Sequence, residues 1–431
     1  MPSNPQLSGK HIPLDSSNTP EEWRLTGLHT FLTQYQRREE IRSDVFYERL
    51  GVKWYALGPY KKETVIGESI KAKYLNRVLP LSFIYNRLFA WKGSFGLIGN
   101  DMANCYVSSE FPLFRINEKI ADPYYIWYWF SQPGVWKYIE DKSSGSTRTS
   151  RLRFKEEDFL AITIPLPPLE EQLVISAILS TIRKSILATE QVINAIQTLK
   201  RAIMKHLFTY GPIPVDQADQ VKLKDTEIGE IPEEWKTAKI SEVCNVNAFS
   251  CDPRSERVDE EFIYIDISSI DNGTGQITSP TRMTGRNAPS RARRLIQTGD
   301  VILSMVRPYL KAHAIVPEEF NNQICSTGFA VLSCKNAVSS EYLLNISMSD
   351  IVGKQFLSKM KGANYPAISQ NDVSFTKIPI PSYEEQIDIG NYLTVLDKKI
   401  VAESGRKSAL DILFSSLLQH LMAGTVRVQV D

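Results

Sequence analysis

Along two stretches of the chain, apolar residues recur in steps that alternate between four and three. The first carries Ile175, Leu179, Ile182, Ile186, Ile193, Ile196, Ile203 and Leu207, and the second Ile389, Leu393, Leu396, Ile400, Leu410, Phe414, Leu417 and Leu421. That rhythm is a heptad seam, and it predicts two helices of about 40 residues, roughly 60 Å each. Polar residues interrupt both seams: Thr189 and Lys200 in the first, Glu403 and Lys407 in the second. Such residues set register and orientation at some cost in stability. Pro167-Pro168 ahead of Glu170-Glu171 suits a first helical turn. Proline lacks the amide hydrogen that would go unbonded there, and carboxylates favour the positive end. Gly211-Pro212 and Gly424 predict the helix ends. One exposed seam of this length is unstable in water, so the economical arrangement is that the two pair with each other, antiparallel. The competing arrangement, each helix packed on its own domain, leaves the seam overhanging a body roughly 30–35 Å across.

The seams close two copies of a longer repeat. Ile164-Pro165-Leu166-Pro167-Pro168-Leu169-Glu170-Glu171-Gln172 returns as Ile378-Pro379-Ile380-Pro381-Ser382-Tyr383-Glu384-Glu385-Gln386, at an offset of 214 residues. Thr19-Pro20-Glu21-Glu22-Trp23 and Ile231-Pro232-Glu233-Glu234-Trp235 open the two halves, offset by 212. Each opening reads as a helix start or tight turn. Between openings and seams lie short runs rich in β-branched and aromatic residues, which predict strands. They are Phe83–Tyr85, Cys105–Val107, Phe262–Ile265, Val301–Leu303 and Phe329–Leu332. Helices are predicted from Tyr124 through Phe130 and beyond, and over Ser340–Lys361. A period this long is a duplicated α+β domain with its helix, not a solenoid.

Composition narrows the class. The 431 residues are 42% hydrophobic and 23% charged, as expected of a soluble protein of two to three domains. No run approaches about 18 apolar residues, so no membrane span is expected. Residues 1–19, rich in Pro, Ser and Asn, read as a flexible arm without the apolar core of a signal peptide. A cytoplasmic location is expected. Five cysteines with no CxxC pair predict buried free thiols, not zinc ligands or disulfides.

Net charge is only +1, so an anionic partner would have to meet local clusters. Lys142 to Lys155 holds Lys142, Arg148, Arg151, Arg153 and Lys155 among hydroxyl residues and a glycine, with no acid. The second half carries Arg282, Arg286, Arg291, Arg293, Arg294, Arg307 and Lys311, with Asp300 the only acid in the span. Guanidinium, hydroxyl and backbone donors suit phosphates, and arginine can take guanine bidentately. Either cluster alone could be a solvated loop; one in each homologous half favours nucleic acid.

Catalytic motifs are absent: no GxxxxGK[ST], HExxH or GxSxG is found. Asp122-Pro123-Tyr124-Tyr125 is similar to the DPPY tetrapeptide of adenine methyltransferases, but it lacks the second proline and reads as a helix N-terminus. Glu234-Trp235-Lys236 has a nuclease-type ExK spacing with no suitably placed Pro-Asp pair. His206 and His420 sit at matching helix ends, where a cation favours the dipole.

The doubled Ile-Pro-x-Pro-x-x-Glu-Glu-Gln with its long helix, and the Pro-Glu-Glu-Trp openings, resemble the conserved regions of specificity subunits of type I restriction-modification systems. Ala90-Trp91-Lys92-Gly93-Ser94-Phe95-Gly96 and Val107-Ser108-Ser109-Glu110-Phe111-Pro112 resemble a pattern within one class of their target recognition domains. Gly299–Ser304 and Cys325–Phe329 look like the divergent equivalents. The resemblance implies an α+β fold with two mixed α/β target recognition domains, 20–166 and 231–380. They would be separated by two long helices, 167–210 and 381–424, forming an antiparallel coiled coil in a pseudo-two-fold tandem repeat. Residues 211–230 would be a linker and 425–431 a tail. It further implies a non-catalytic DNA-reading subunit, one copy per complex, working in DNA modification and phage defence. Its partners would be double-stranded DNA, two methyltransferase subunits and restriction/motor subunits. This chain would hold no cofactor; S-adenosylmethionine, ATP and Mg would sit on the partners.

For DNA contact the sequence favours Lys92, Arg148, Arg151 and Arg153 in the first half, and Arg282, Arg286, Arg291, Arg307 and Lys361 in the second. For the methyltransferase subunits it favours Pro165, Pro167, Glu170, Glu171, Gln172, Pro379, Pro381, Glu384, Glu385 and Gln386, with helix capping as the alternative role. Two other classes compete: a coiled-coil adaptor of another cytosolic complex, and a self-sufficient DNA methyltransferase or nuclease.

Overall fold

Both heptad stretches are helical over their full length in the computed structural model, which describes residues 20–143, 152–362 and 366–429. The first long helix runs Leu169–Tyr210 and the second Tyr383–Met422. Every seam residue named above is buried or half-buried. The chain divides into two units: residues up to Ala188 together with those from Lys407 onward, and Thr189–Arg406. Each unit therefore owns a stretch of both long helices.

Unit 1 opens with a tight turn, the Trp23 amide donating to the Pro20 carbonyl at 2.9 Å. The strand Arg24–Gly27 then pairs antiparallel with Thr163–Leu166. The main sheet runs in the order Leu32–Tyr35, Leu113–Ile116, Phe83–Tyr85, Phe95–Leu97. Alternation along Phe83-Ile84-Tyr85 explains why all three are buried. Phe83 and Tyr85 face an aromatic core with Phe95, Phe114, Phe130 and Phe159. Ile84 faces the opposite core with Leu50, Val52, Val78 and Val107. Each fully buried ring or branched side chain contributes about 1.5–3 kcal/mol. A five-stranded sheet, ordered Arg38–Glu40, Tyr74–Arg77, Tyr106–Val107, Phe46–Val52, Pro59–Ile66, completes the unit.

Unit 2 repeats this plan. The strand Lys236–Lys239 pairs with Lys377–Ile380, and the main sheet runs Cys244–Val246, Phe329–Cys334, Val301–Ser304, His313–Ile315. Val301 and Leu303 face one core and Ile302 the other. This topology corrects one sequence equivalence. Val301–Ser304 matches Phe83–Tyr85, not Ala90–Gly96. The turn that matches Ala90–Lys92 is Pro308–Leu310, each being a 3-10 turn closed by a residue in the left-handed region. The stretch 211–230 is also not plain linker: it contains the strand Leu223–Thr226, which pairs with Gly229–Pro232.

The repeated Pro-x-Pro-x-x-Glu-Glu-Gln motif wires each unit internally. In unit 1 the Gln172 side chain accepts from the Asp122 amide at 2.8 Å and donates to the carbonyls of Pro167 at 2.8 Å and Ile120 at 3.2 Å. In unit 2 Gln386 accepts from the Ser339 amide at 3.0 Å and donates to Ala337 and Pro381. Glu171 and Glu385 each accept from a tryptophan indole, Trp23 and Trp235, both at 3.1 Å. Tyr125 and Tyr342 hydroxyls donate to the carbonyls of Pro165 and Pro379. These bonds correct part of the docking expectation. Pro167, Glu171, Gln172, Pro379, Pro381 and Gln386 are buried, and the three polar ones spend their polar atoms inside the chain. Of the ten, Glu170 and Glu384 are exposed, while Pro165 and Glu385 are half-buried.

Unit 1 adds a cation. Arg427 makes two bonds to Glu171, at 2.7 and 3.0 Å, and one to Glu22. These carboxylates hold the guanidinium above its usual range. Arg427→Met leaves a Glu171 side chain only 3% exposed with the Trp23 indole as its remaining donor. We expect unit 1 to lose about 2 kcal/mol, read as a lower denaturant midpoint for its amides in hydrogen exchange. Unchanged protection would show that the carboxylate is solvated without its partner.

Candidate nucleic-acid interface

The loop that follows the central strand in each unit carries the strongest candidates. In unit 1 it forms the turn Ala90–Lys92, closed by Gly93 at φ 71°. A Cβ on Gly93 would strike the Trp136 ring at 2.4 Å, so only glycine lets the turn close. Lys92 projects beside Trp54, its Nζ 3.9 Å from that ring and 4.8 Å from Trp91. The carbonyls of Lys92 and Gly93 accept from the amides of Tyr55 and Ala56, at 2.8 and 2.6 Å. A neighbouring hairpin tip is thereby tied to the loop.

In unit 2 the matching turn Pro308–Leu310 is bracketed by Arg307 and Lys311, both left-handed at φ 48° and 54°. The Arg307 amide donates to the Pro366 carbonyl at 2.7 Å. Val306 and Lys361 both bridge to Ala367. Two residues far apart in sequence, Arg307 and Lys361, thus converge on one short backbone segment. Tyr309 and Leu310 stand exposed at the apex. The Lys311 ammonium turns inward to the Met348 carbonyl at 2.6 Å.

The remaining candidates fall elsewhere. Arg282 lies on the strand Thr281–Thr284 and pairs with Glu261 at 3.3 Å. Arg286 pairs with Asp259 at 2.7 Å. Both pairs are solvent-exposed and worth little, so phosphate could exchange for the carboxylate at small cost. Arg291 is exposed just before the strand Ala292–Ile296. Arg153 pairs with Glu110. Arg148 and Arg151 lie outside the described residues.

Other sequence motifs have structural explanations. Asp122 caps the helix Pro123–Trp129 by accepting from the Tyr125 amide, and the Ser176 hydroxyl donates to it. His206 Nε2 lies 2.8 Å from the Ile213 carbonyl. All five cysteines are free thiols, four buried and Cys334 half-buried. Among the described residues no cluster of three or more His, Cys, Asp or Glu could hold a metal, and no helix is long and apolar enough to cross a membrane.

The hairpin tip Trp54–Leu57 escaped the sequence reading. Its signal was an aromatic run between two strand-like segments, Val52-Lys53-Trp54-Tyr55-Ala56-Leu57-Gly58. Tyr-Ala does not read as a turn, yet both residues have positive φ.

Two copies of one sheet topology, each with a cationic loop beyond its central strand, define a tandem recognition-domain protein. Residues 21–198 and 232–411 match the type I restriction modification DNA specificity domain. The chain belongs to that family, as a type I specificity subunit with two target recognition domains. It is 24% identical over 419 residues to the MjaVIII specificity subunit of Methanocaldococcus jannaschii, covering 95% of this chain and 94% of that one. It is 27% identical over 326 residues to the putative MjaX specificity subunit of the same organism, covering 74% and 71%. Its fold is similar to that of the S subunit from M. genitalium, with a TM-score of 0.59 at 15% identity, covering 94% and 96%. A chain from a structural study of complex assembly in a type I R-M system gives a TM-score of 0.51 at 18% identity, covering 95% and 99%.

Proposed function

We propose that each globular part reads one half of a bipartite, asymmetric DNA site, and that the long helices pair as an antiparallel coiled coil that sets the gap. The observation that carries this reading is one topology with two unlike loops. Trp91-Lys92-Gly93 in unit 1 stands where Tyr309-Leu310-Lys311 stands in unit 2. The same scaffold with different chemistry at its apex suits two half-sites of different sequence. If both domains approach one face of the duplex, half-site centres lie about 10 bp apart.

The helices also dock two methyltransferase subunits. Apolar side chains off the seam support this: Leu173, Leu187 and Leu199 on the first helix, and Tyr392, Val395 and Ile412 on the second, are all exposed. Glu170 and Glu384 border these faces as the exposed part of the motif. The methyltransferase subunits would hold S-adenosylmethionine and flip the target adenine. Restriction/motor subunits would bring ATP and Mg to the same core, with one copy of this chain per complex. This chain reads sequence and carries no chemistry.

The test is to co-express the chain with its methyltransferase subunit and map methylated adenines across the host DNA. A bipartite motif with unlike halves and a constant gap is expected. Methylation that is absent, or unchanged without this chain, would favour the adaptor reading instead. With the site known, Lys92→Ala and Arg307→Ala are each expected to lower the slope of log affinity against log salt by about one in the assembled complex. An unchanged slope would remove that residue from phosphate contact.

A further inference from the structure

The hairpin joining Phe46–Val52 to Pro59–Ile66 ends in a two-residue turn, with the Leu57 amide donating to the Trp54 carbonyl at 3.3 Å. Its central residues, Tyr55 and Ala56, have φ of 58° and 50°. Positive φ at both positions is the type I′ form, whose ordinary occupants are Asn-Gly. A tyrosine and an alanine are strained there.

Contacts from outside the hairpin hold the strain. Lys92 and Gly93 accept from the two amides, as described, and Arg183 of the first long helix donates from Nη2 to the Ala56 carbonyl at 2.9 Å. Arg183 is itself largely withdrawn from water, 4.2 Å from the Trp127 ring, and among the described residues it makes no ion pair. Burial lowers its pKa from the usual guanidinium range. A half-buried cation without a carboxylate carries a desolvation cost, and here it serves to seat this turn.

Strained backbone that its surroundings over-determine clusters at ligand contacts. Asn-Gly would fold without strain but present little. Tyr-Ala presents Tyr55 at 52% exposure, between Trp54 at 41% and Leu57 at 60%. Cations stand around this apolar apex: Lys92 over Trp54, and Lys53 5.8 Å from the Tyr60 ring. Cations that meet phosphate around side chains that meet bases suit duplex DNA.

We propose that the Trp54–Leu57 turn is an apolar finger that contacts the bases of the half-site read by unit 1, with Arg183 as its positioning residue. The proposal rests on the DNA-reading function above.

The test is the double substitution Tyr55→Asn with Ala56→Gly, which supplies the relaxed turn sequence and removes no charge. It is made in the complex with methyltransferase subunits and assayed on a duplex carrying the mapped site. The thermal midpoint is expected to be no lower than wild type, while cognate affinity falls roughly tenfold or more with an unchanged salt slope. A merely structural role cannot weaken binding while leaving stability intact. Trp54→Ala is expected to weaken cognate binding in the same direction. Arg183→Met is expected to lower the ratio of cognate to random-sequence affinity, and Arg183→Lys, which keeps a donor, to restore part of it. Unchanged cognate affinity in the double variant would overturn the finger and leave DNA reading standing. Loss of the methyltransferase subunits from the double variant would make the apex a protein contact and also overturn it. Failure of the wild-type complex to prefer its mapped duplex would instead remove the function on which the finger rests.

Discussion

Gln386→Ala is expected to destabilise unit 2 by about 3–4 kcal/mol, and Gln172→Ala to do the same to unit 1. Each glutamine is fully buried and makes three hydrogen bonds to the backbone. Truncation removes all three and strands an amide and one carbonyl, that of Pro167 or Pro381, away from water, while the carbonyl of Ile120 or Ala337 lies nearer the surface. A lost neutral bond costs about 1 kcal/mol, and each stranded group adds to that. The stranded amides are those of Asp122 and Ser339, which cap the helices that begin at Pro123 and Ser340. The loss therefore spreads into the helix that covers the main sheet. Denaturant unfolding of the full chain, resolved by peptide-level hydrogen exchange, separates the two units. Full stability with loss of the methyltransferase subunits on purification would instead restore the docking role for these glutamines.

The second large effect concerns Lys200 and Asp397, an ion pair 2.5 Å apart within unit 2, with side chains 16% and 24% exposed. Burial raises the Asp397 carboxyl above its ordinary range, and Lys200 opposes the rise. Lys200→Met leaves the carboxylate unpaired, and unit 2 is expected to lose about 2–4 kcal/mol near neutral pH. Asp397 also borders a cavity of about 390 Å³ with Thr274, Gln276 and Thr394, which admits water and favours the lower figure. The pH dependence follows from linkage. A carboxyl whose folded pKa is raised binds its proton more readily in the folded state than in the unfolded one. Its charged form therefore weighs against the fold at neutral pH. As the solution is acidified towards the unfolded value of about 4, the proton returns and the deficit of the variant shrinks. Lys200→Met with Asp397→Leu is expected to recover to within about 1 kcal/mol of wild type at neutral pH. A deficit of constant size from pH 7 to 4 would rule out the unpaired carboxylate as its cause.

The helices and the duplication were legible because their signals are periodic and repeated. A seam at steps of four and three cannot be satisfied by a strand, and two copies of Ile-Pro-x-Pro-x-x-Glu-Glu-Gln mark equal places in two units. The central strands were legible from Phe83–Tyr85 and Val301–Leu303, whose every residue is apolar because both faces of the sheet are covered. What the sequence hid was long-range polar pairing. Nothing near Gln172 announces that its amide closes on Asp122, because residues fifty positions apart meet only through the fold. A surface reading of Glu-Glu-Gln was natural, yet Glu171 and both glutamines are buried and Glu385 is half-buried, which leaves the first glutamate of each copy as the exposed one. Charge patterning likewise singled out Arg307 and Lys361 but not that both meet the short segment Pro366-Ala367, nor that Arg282 and Arg286 already face carboxylates. The Tyr55-Ala56 turn was invisible because its residues contradict the turn chemistry it adopts.

The division of the long helices also sets an order of assembly during synthesis. Unit 2 is one uninterrupted segment, Thr189–Arg406, whereas unit 1 requires residues from Lys407 onward. The half that is translated first is thus the half that is finished last. At about 5–20 residues per second, some 10–50 s separate the appearance of Ala188 from that of Arg427. Until then Trp23 and Glu171 have each other but not Arg427, and Ile175 and Leu179 of the first seam wait without Leu418 and Leu421 on the ribosome. A chain halted by a premature stop codon in the second helix would leave that surface open for good, with unit 1 unfinished beside a complete unit 2.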